Sequence, residues 1–159
     1  MYTAKWFELS GRVLFWLTWP IWFFYLRLGG VRSRVLVVLG NEILLLKGWI
    51  NPGRLMLPGG GAKAGELIKD AAIRELAEET GITASKYELV SIPGRTRSEF
   101  GLCYKAAYFY LELSSKPELK IGYPEIIHAG WYDAGTSSDI RLDKDAQYAL
   151  EQYMRRSRT

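Results

Sequence analysis

Residues 60–82 read GGAKAGELIKDAAIRELAEETGI, and this stretch changes character part-way along. Its first half is a glycine loop, because Gly59, Gly60, Gly61 and Gly65 let the backbone visit positive φ and approach a ligand closely. From Glu66 onward neither glycine nor proline occurs until Gly81, and the intervening Ala, Leu, Glu, Arg and Lys are strong helix formers. The spacing predicts a helix from Glu66, with Gly81 placed where a helix C-terminus favours it. On such a helix Glu75, Glu78 and Glu79 stand at i, i+3 and i+4 and project from one face. Three carboxylates this close repel one another unless a cation lies among them. Clustered hard oxygens suit a divalent cation such as Mg²⁺, which also grips substrate phosphates. Arg74 lies one turn before Glu78 and is placed for an i,i+4 ion pair. A solvated charged face is the plainer reading, but Ile68 and Ala71 fall on the same arc, so the glutamates mark one end of the helix, beside the glycine loop.

The register within this stretch is a glycine at 60, Glu66, Arg74-Glu75-Leu76, Glu78-Glu79 and Gly81-Ile82. It resembles the Nudix hydrolase signature G-x5-E-x7-R-E-U-x-E-E-x-G-U, U being aliphatic, without a departure. The resemblance implies an α/β fold of the α+β kind, an α/β/α sandwich with a mixed sheet. It further implies that Glu75, Glu78 and Glu79, with the backbone carbonyl of Gly60, hold Mg²⁺, with Mn²⁺ as the alternative, and that Arg74 and Glu66 keep the carboxylates in place. The implied reaction is hydrolysis of a diphosphate in a nucleoside diphosphate linked to another moiety, by water attacking phosphorus. A bound divalent cation neutralises phosphate oxygens and acidifies water, and a carboxylate accepts the proton. That carboxylate is Glu75 or Glu79 in the box, or a later-loop glutamate, for which Glu125 is the first candidate and Glu99 the second. The lone histidine, His128, reads as structural. The downstream subgroup markers for ADP-ribose and dinucleoside polyphosphate hydrolases are absent, since Ser98, Glu99 and Phe100 stand there. A nucleoside triphosphate or a nucleotide sugar is the expected type of substrate.

The chain has 159 residues, enough for one domain with its own core. Residues 29–159 are expected to form it, preceded by a separate hydrophobic segment over 1–28. Within that segment Val13 to Leu26 reads VLFWLTWPIWFFYL, 14 residues without a charge. A straight helix of that length reaches about 21 Å, short of the roughly 30 Å hydrocarbon core. Trp16, Trp19, Trp22 and Tyr25 favour a membrane interface, and Pro20 interrupts a helix. Residues 6–28 are therefore expected to contact a membrane surface, at its inner face, or else to pack against protein. Cys103 is the only cysteine, so no intramolecular disulfide forms and a cytoplasmic setting is expected. The net charge of +4 fits an anionic small-molecule substrate. Nucleic acid is not the expected partner, although the basic Arg95 and Arg97 motivate one alternative, a non-catalytic nucleotide- or RNA-binding module. A homodimer is compatible with the sequence.

Around the box, strands are expected at Arg34 to Leu39 and Ile43 to Trp49, joined as a hairpin at Gly40-Asn41-Glu42, then at Arg54 to Leu57, Tyr87 to Ile92, Leu102 to Leu113 and Ile126 to Tyr132. Pro93 to Arg97 reads as a basic loop. A last amphipathic helix is expected from Asp143, acting as its cap, to Arg155. Lys47 and Arg54 are candidates for phosphate contact, and Trp49 and Tyr123 for stacking on a base.

Overall fold

A computed structural model describes residue 17 and residues 30–48, 53–99, 102–122, 125–135 and 140–157. Most of the N-terminal segment, Trp49, Tyr123 and the side chain of Glu99 lie outside the described residues. The strands are β1 (Val31–Leu39), β2 (Glu42–Gly48), β3 (Val90–Glu99), β4 (Leu102–Glu112) and β5 (Ile126–Asp133); the helices are α1 (Ile68–Thr80) and α2 (Lys144–Arg156). The strands form one mixed sheet in the order β3-β4-β1-β2-β5, with β1 parallel to β4 and the other pairs antiparallel.

Strand periodicity divides the core in two. On β1, Val35 and Val37 pack beneath α1 with Leu76 and Ala72, while Leu36 and Val38 face α2 with Ala146, Ala149 and Leu150. On β4, Tyr104, Ala106 and Tyr108 face α2, while Phe109 and Leu111 face α1. This alternation requires both sheet faces to be covered, which is the α/β/α sandwich expected from the box. Leu76 is fully buried, and its burial contributes about 2 kcal/mol relative to exposure.

The placement of the glycine loop follows from a divergence of two strands. β1 and β2 pair only next to their turn, Val38 with Ile43 and Leu39 with Glu42. Beyond that point they splay, and residues 56–62 enter the gap and satisfy the freed backbone groups. Val35 N–H donates to Pro58 O at 2.9 Å, Ser33 N–H to Gly60 O at 2.8 Å, and Leu46 and Met56 exchange bonds at 2.8 and 2.9 Å. The loop is thus a fixed part of the sheet. Gly59 has φ +141°, and a Cβ there would run into Ser33 O, so only glycine fits.

Several elements differ from expectation: Arg54 to Leu57 forms no strand, only isolated bridges at Leu55 and Met56, and β1 begins at Val31 rather than Arg34. α1 begins at Ile68 rather than Glu66, and Leu67 at its N-cap makes no side-chain cap bond; Glu66 instead accepts from Lys63 N–H at 2.7 Å. β3 begins at Val90, leaving Tyr87 exposed in a turn. Pro93 to Arg97 is not a loop: β3 continues through it beside β4, with a register irregularity between Ile92 and Arg95 that accommodates the proline and glycine. The C-terminal helix is as expected, with Asp143 accepting from Ala146 N–H at 2.7 Å.

Candidate active site

At the loop end of α1, the Arg74 guanidinium is surrounded. Its Nε and Nη2 donate to the two oxygens of Glu66 at 2.9 and 3.0 Å, Nη1 donates to Glu75 at 2.8 Å and Glu78 at 3.0 Å, and Nη2 also donates to Gly61 O at 3.1 Å. A guanidinium has five N–H groups in a planar fork, and these five contacts use its whole capacity. The bond from Arg74, followed by that from the Lys63 amide, lowers the Glu66 pKa to about 2. The hydrogen bond to Glu66 leads the factors that raise the Arg74 pKa. Glu66 therefore remains an anion that fixes Arg74, and Arg74 in turn fixes the adjacent glutamates.

Glu79 has a different environment. It is 7% exposed, and its Oε2 accepts from Gly59 N–H at 2.8 Å. Burial raises its pKa to about 8, against the lowering effect of the Gly59 amide and Arg34 and with the repulsion of Glu75 and Glu125. A buried carboxyl with anionic neighbours and no directly bonded cation favours an incoming positive ion. Gly60 packs against the Glu75 carboxylate so closely that a Cβ would overlap it. Its carbonyl already accepts from Ser33 N–H at 2.8 Å and from the Ser33 hydroxyl at 3.3 Å.

The carboxylates are of the kind that suits a hard cation, whereas the Gly60 carbonyl is engaged by Ser33. As the side chains stand, no group of three or more His, Cys, Asp or Glu among the described residues converges to hold a metal. Arg74 accounts for this, because it draws Glu75 and Glu78 toward itself while Glu79 turns to Gly59. The Glu78 side chain is 56% exposed.

Glu125 is exposed but close enough to act on Glu79. The segment before it is anchored on the end of α1, with Lys120 N–H donating to Thr80 O at 2.8 Å and Gly122 N–H to Glu79 O at 3.1 Å. A Cβ on Gly122 would meet Glu78 O, which explains a glycine there. His128 is exposed on β5 opposite Lys47 on β2, and Arg54 is exposed before the glycine loop.

A second ionic cluster was not foreseen. Asp145, buried at the start of α2, lies 3.3 Å from Arg34 Nε and 2.7 Å from Arg97 Nε, with Arg95 at 3.8 Å. The Tyr108 hydroxyl donates to it at 2.7 Å. Burial raises the Asp145 pKa, but Arg34, Tyr108, Arg97 and Arg95 together outweigh it and hold the carboxyl below its ordinary value. Arg34 also donates to Gly59 O at 2.8 Å, so Asp145, Arg34, Gly59 and Glu79 form one continuous chain of contacts. Before folding, Asp145 reads only as an acidic residue in a first helical turn, and nothing local connects it to arginines on two strands.

Residues 30–153 match the NUDIX domain family. A MutT NUDIX hydrolase from Burkholderia pseudomallei has a similar structure, with TM-score 0.67 and 24% identity over 78% of this chain and 97% of that one. The NUDIX domain of Shewanella oneidensis NrtR, solved with ADP ribose, is also similar, with TM-score 0.71 and 16% identity over 80% of this chain and 88% of that one. At these identities the likeness shows the fold. In sequence, an ADP-ribose pyrophosphatase from Methanocaldococcus jannaschii is 41% identical over 54 residues, which span 33% of this chain and 32% of the relative. The match thus spans about a third of that relative's length.

Proposed function

The chain belongs to the NUDIX domain family, and from that premise we propose that it hydrolyses the diphosphate of a nucleoside diphosphate linked to another moiety, using Mg²⁺ or Mn²⁺. One arrangement supports the reading most directly: Arg74 holds Glu66, Glu75 and Glu78 at one end of α1, while the glycine loop holds Glu79 beside them. A site without metal chemistry has no need to gather this many carboxylates at such electrostatic cost.

Glu75, Glu78, Glu79 and the Gly60 carbonyl would hold the cation, which when bound supplies charge neutralisation at the phosphates and acidified water. Arg74 positions Glu75 and Glu78, and Glu66 keeps Arg74 in place. The rigid loop across the gap between β1 and β2 presents backbone close to the phosphates. The attacking water gives its proton to Glu75, Glu79 or Glu125, which single Gln substitutions separate by their pH–rate profiles. The substrate is a small nucleotide-type diphosphate. ADP-ribose, which the archaeal relative's name and the bound NrtR domain both specify, joins nucleoside triphosphates and nucleotide sugars in the first set to test. The test is turnover of that set with and without Mg²⁺ in wild type, Glu78→Gln and Glu79→Gln. Metal-dependent turnover lost in both variants is expected; full activity in both would overturn the reading.

Arg95 and Arg97, the basic pair that motivates the alternative of a non-catalytic nucleotide- or RNA-binding module, face Asp145 within the sheet. Residues 6–28 hold this domain at the inner face of a membrane, a reading carried by the tryptophans and the arginines flanking the apolar run. No helix among the described residues is long and apolar enough to cross a membrane. Fractionation of the full chain checks the anchor, and complete recovery as a detergent-free monomer would contradict it.

A further inference from the structure

One end of α1 carries side chains that the fold does not use. Among the described residues of the domain, Leu67 and Tyr87 are the large hydrophobic side chains left exposed, at 66% and 97%. Leu67 is the N-cap of α1, and Tyr87 follows Lys86, whose Nζ is 2.7 Å from Asp70 in the first turn. A leucine offers no acceptor to the helix N–H groups and ranks poorly as a cap, so neither capping nor core packing accounts for it. Three lysines surround the same place. Lys105 on β4 is the register partner of Val31, Lys63 follows Ala62, whose N–H donates to Val31 O at 3.2 Å, and Lys69 lies in the first turn of α1. Lys69 and Lys105 line a trough of about 720 Å³ together with Val31, Ile68, Ala107 and Phe109. The acids flanking Leu67 are already matched, Glu66 by Arg74 and Asp70 by Lys86. Among the described residues the lysines in ion pairs are Lys86 and Lys116, so the ammonium groups of Lys63, Lys69 and Lys105 are not paired.

We infer that this face docks on an anionic lipid leaflet, with Lys63, Lys69 and Lys105 against the headgroups and Leu67 and Tyr87 entering the interfacial layer. Lysines within a Debye length of an anionic leaflet are attracted to it, and tyrosine and apolar side chains partition into the interface. Val31, at the centre of the lysines, is also where residues 6–28 join the domain. Leu26 to Val31 spans at most about 18 Å when extended, so an anchored apolar run keeps this end of the domain at the leaflet. Charge argues against the run itself as the occupant of the trough, because Arg12 and Arg27 flank it and would add to the like charge of the lysines. Nucleic acid would match the lysines but gives Leu67 no apolar layer to enter. The inference rests on the reading of residues 6–28 as a membrane anchor and adds to it the docking face and the charge of the lipid.

The test separates anchor from face. The full chain is sedimented with vesicles of phosphatidylcholine alone and with vesicles of an equal mixture of phosphatidylcholine and phosphatidylglycerol. Binding to the neutral vesicles reports the anchor, and the gain on the mixed vesicles reports the face. Lys63→Gln, Lys69→Gln and Lys105→Gln combined are expected to cut that gain on the order of a hundredfold, about fivefold per lysine, and to leave neutral binding unchanged. Orientation is read with the lysines intact, which covers the case in which the triple variant fails to fold. In a Cys103→Ser background, an environment-sensitive fluorophore at Leu67→Cys is expected to shift to the blue on the mixed vesicles. The same fluorophore at Gln147→Cys, exposed on α2 across the sheet, is expected to stay unshifted. A gain that survives the triple substitution, equal shifts at both sites, or an RNA oligonucleotide that binds through these lysines more tightly than the vesicles do would overturn the inference. Loss of neutral binding with the gain intact would instead sink the anchor and leave the docking face standing.

Discussion

Arg74 and Asp145 are ionic hubs of opposite design. At the first, one arginine contacts three carboxylates, and the surplus charge is negative. At the second, one carboxylate lies among three arginines, and the surplus is positive. Two residues, Arg34 and Gly59, connect the second hub to Glu79. The contrast teaches what an ion pair does beyond its own energy. The two hubs therefore carry net charge of opposite sign. The hubs also differ in exposure, since Glu78 reaches solvent whereas Asp145 is buried. Loss of the first should therefore be felt in chemistry and loss of the second in folding.

The largest effect that would break this contrast is on turnover. Glu79→Gln is expected to lower kcat by about 10²–10⁴-fold, the range for losing a proton-transfer group, with Tm held or raised because the neutral side chain suits its buried site. Steady-state kinetics beside a thermal melt checks this. Next comes Asp145→Ala, which leaves Arg34 buried without its partner and is expected to cost about 3–5 kcal/mol, read by urea unfolding. If it unfolded no more easily than wild type, the division between chemistry and folding would fail. Arg74→Lys keeps the charge but loses the fork, and Mg²⁺ affinity should fall roughly 10–100-fold, as for other loss of support to metal ligands; a Mg²⁺ titration of activity measures it.

The smallest effect is in pH dependence, and the hubs have opposite signs. Asp145 is depressed below its ordinary value, so its stabilisation is complete above that value and is lost as pH falls through the lower folded one. Glu79 is raised to about 8 by burial. The folded state then binds the proton more tightly, and metal-free stability attributable to Glu79 is full below the ordinary carboxyl value of 4.5 and declines as pH rises toward about 8. Urea unfolding in EDTA across this range, with Asp145→Asn and Glu79→Gln each removing one limb, sharpens the comparison. Mg²⁺ should raise Tm more at the alkaline end.

The two hubs also differ in how much of each could be read before folding. Glu66, Arg74, Glu75 and Glu78 belong to one short segment, so helical periodicity brings Arg74 onto Glu78 without any tertiary information. Glu66 needed the loop to bend back onto the helix, which the glycines permit. The strands were legible from apolar runs, but β3 was not legible through Pro93 and Gly94, because sheet pairing with β4 overrode two residues that ordinarily end a strand.

The sequence by itself determined the family, the sandwich fold and the carboxylate array, because these depend on spacing within a single helix and on alternation within single strands. Tertiary structure decided the environment of Glu79, the wedging of Gly59 and Gly60 between diverging strands, and the meeting of Arg34, Arg95 and Arg97 at Asp145. Those contacts join residues far apart in the chain, and their strength comes from burial. Neither the separation nor the burial is encoded locally: both exist only once the two helices have closed on the sheet.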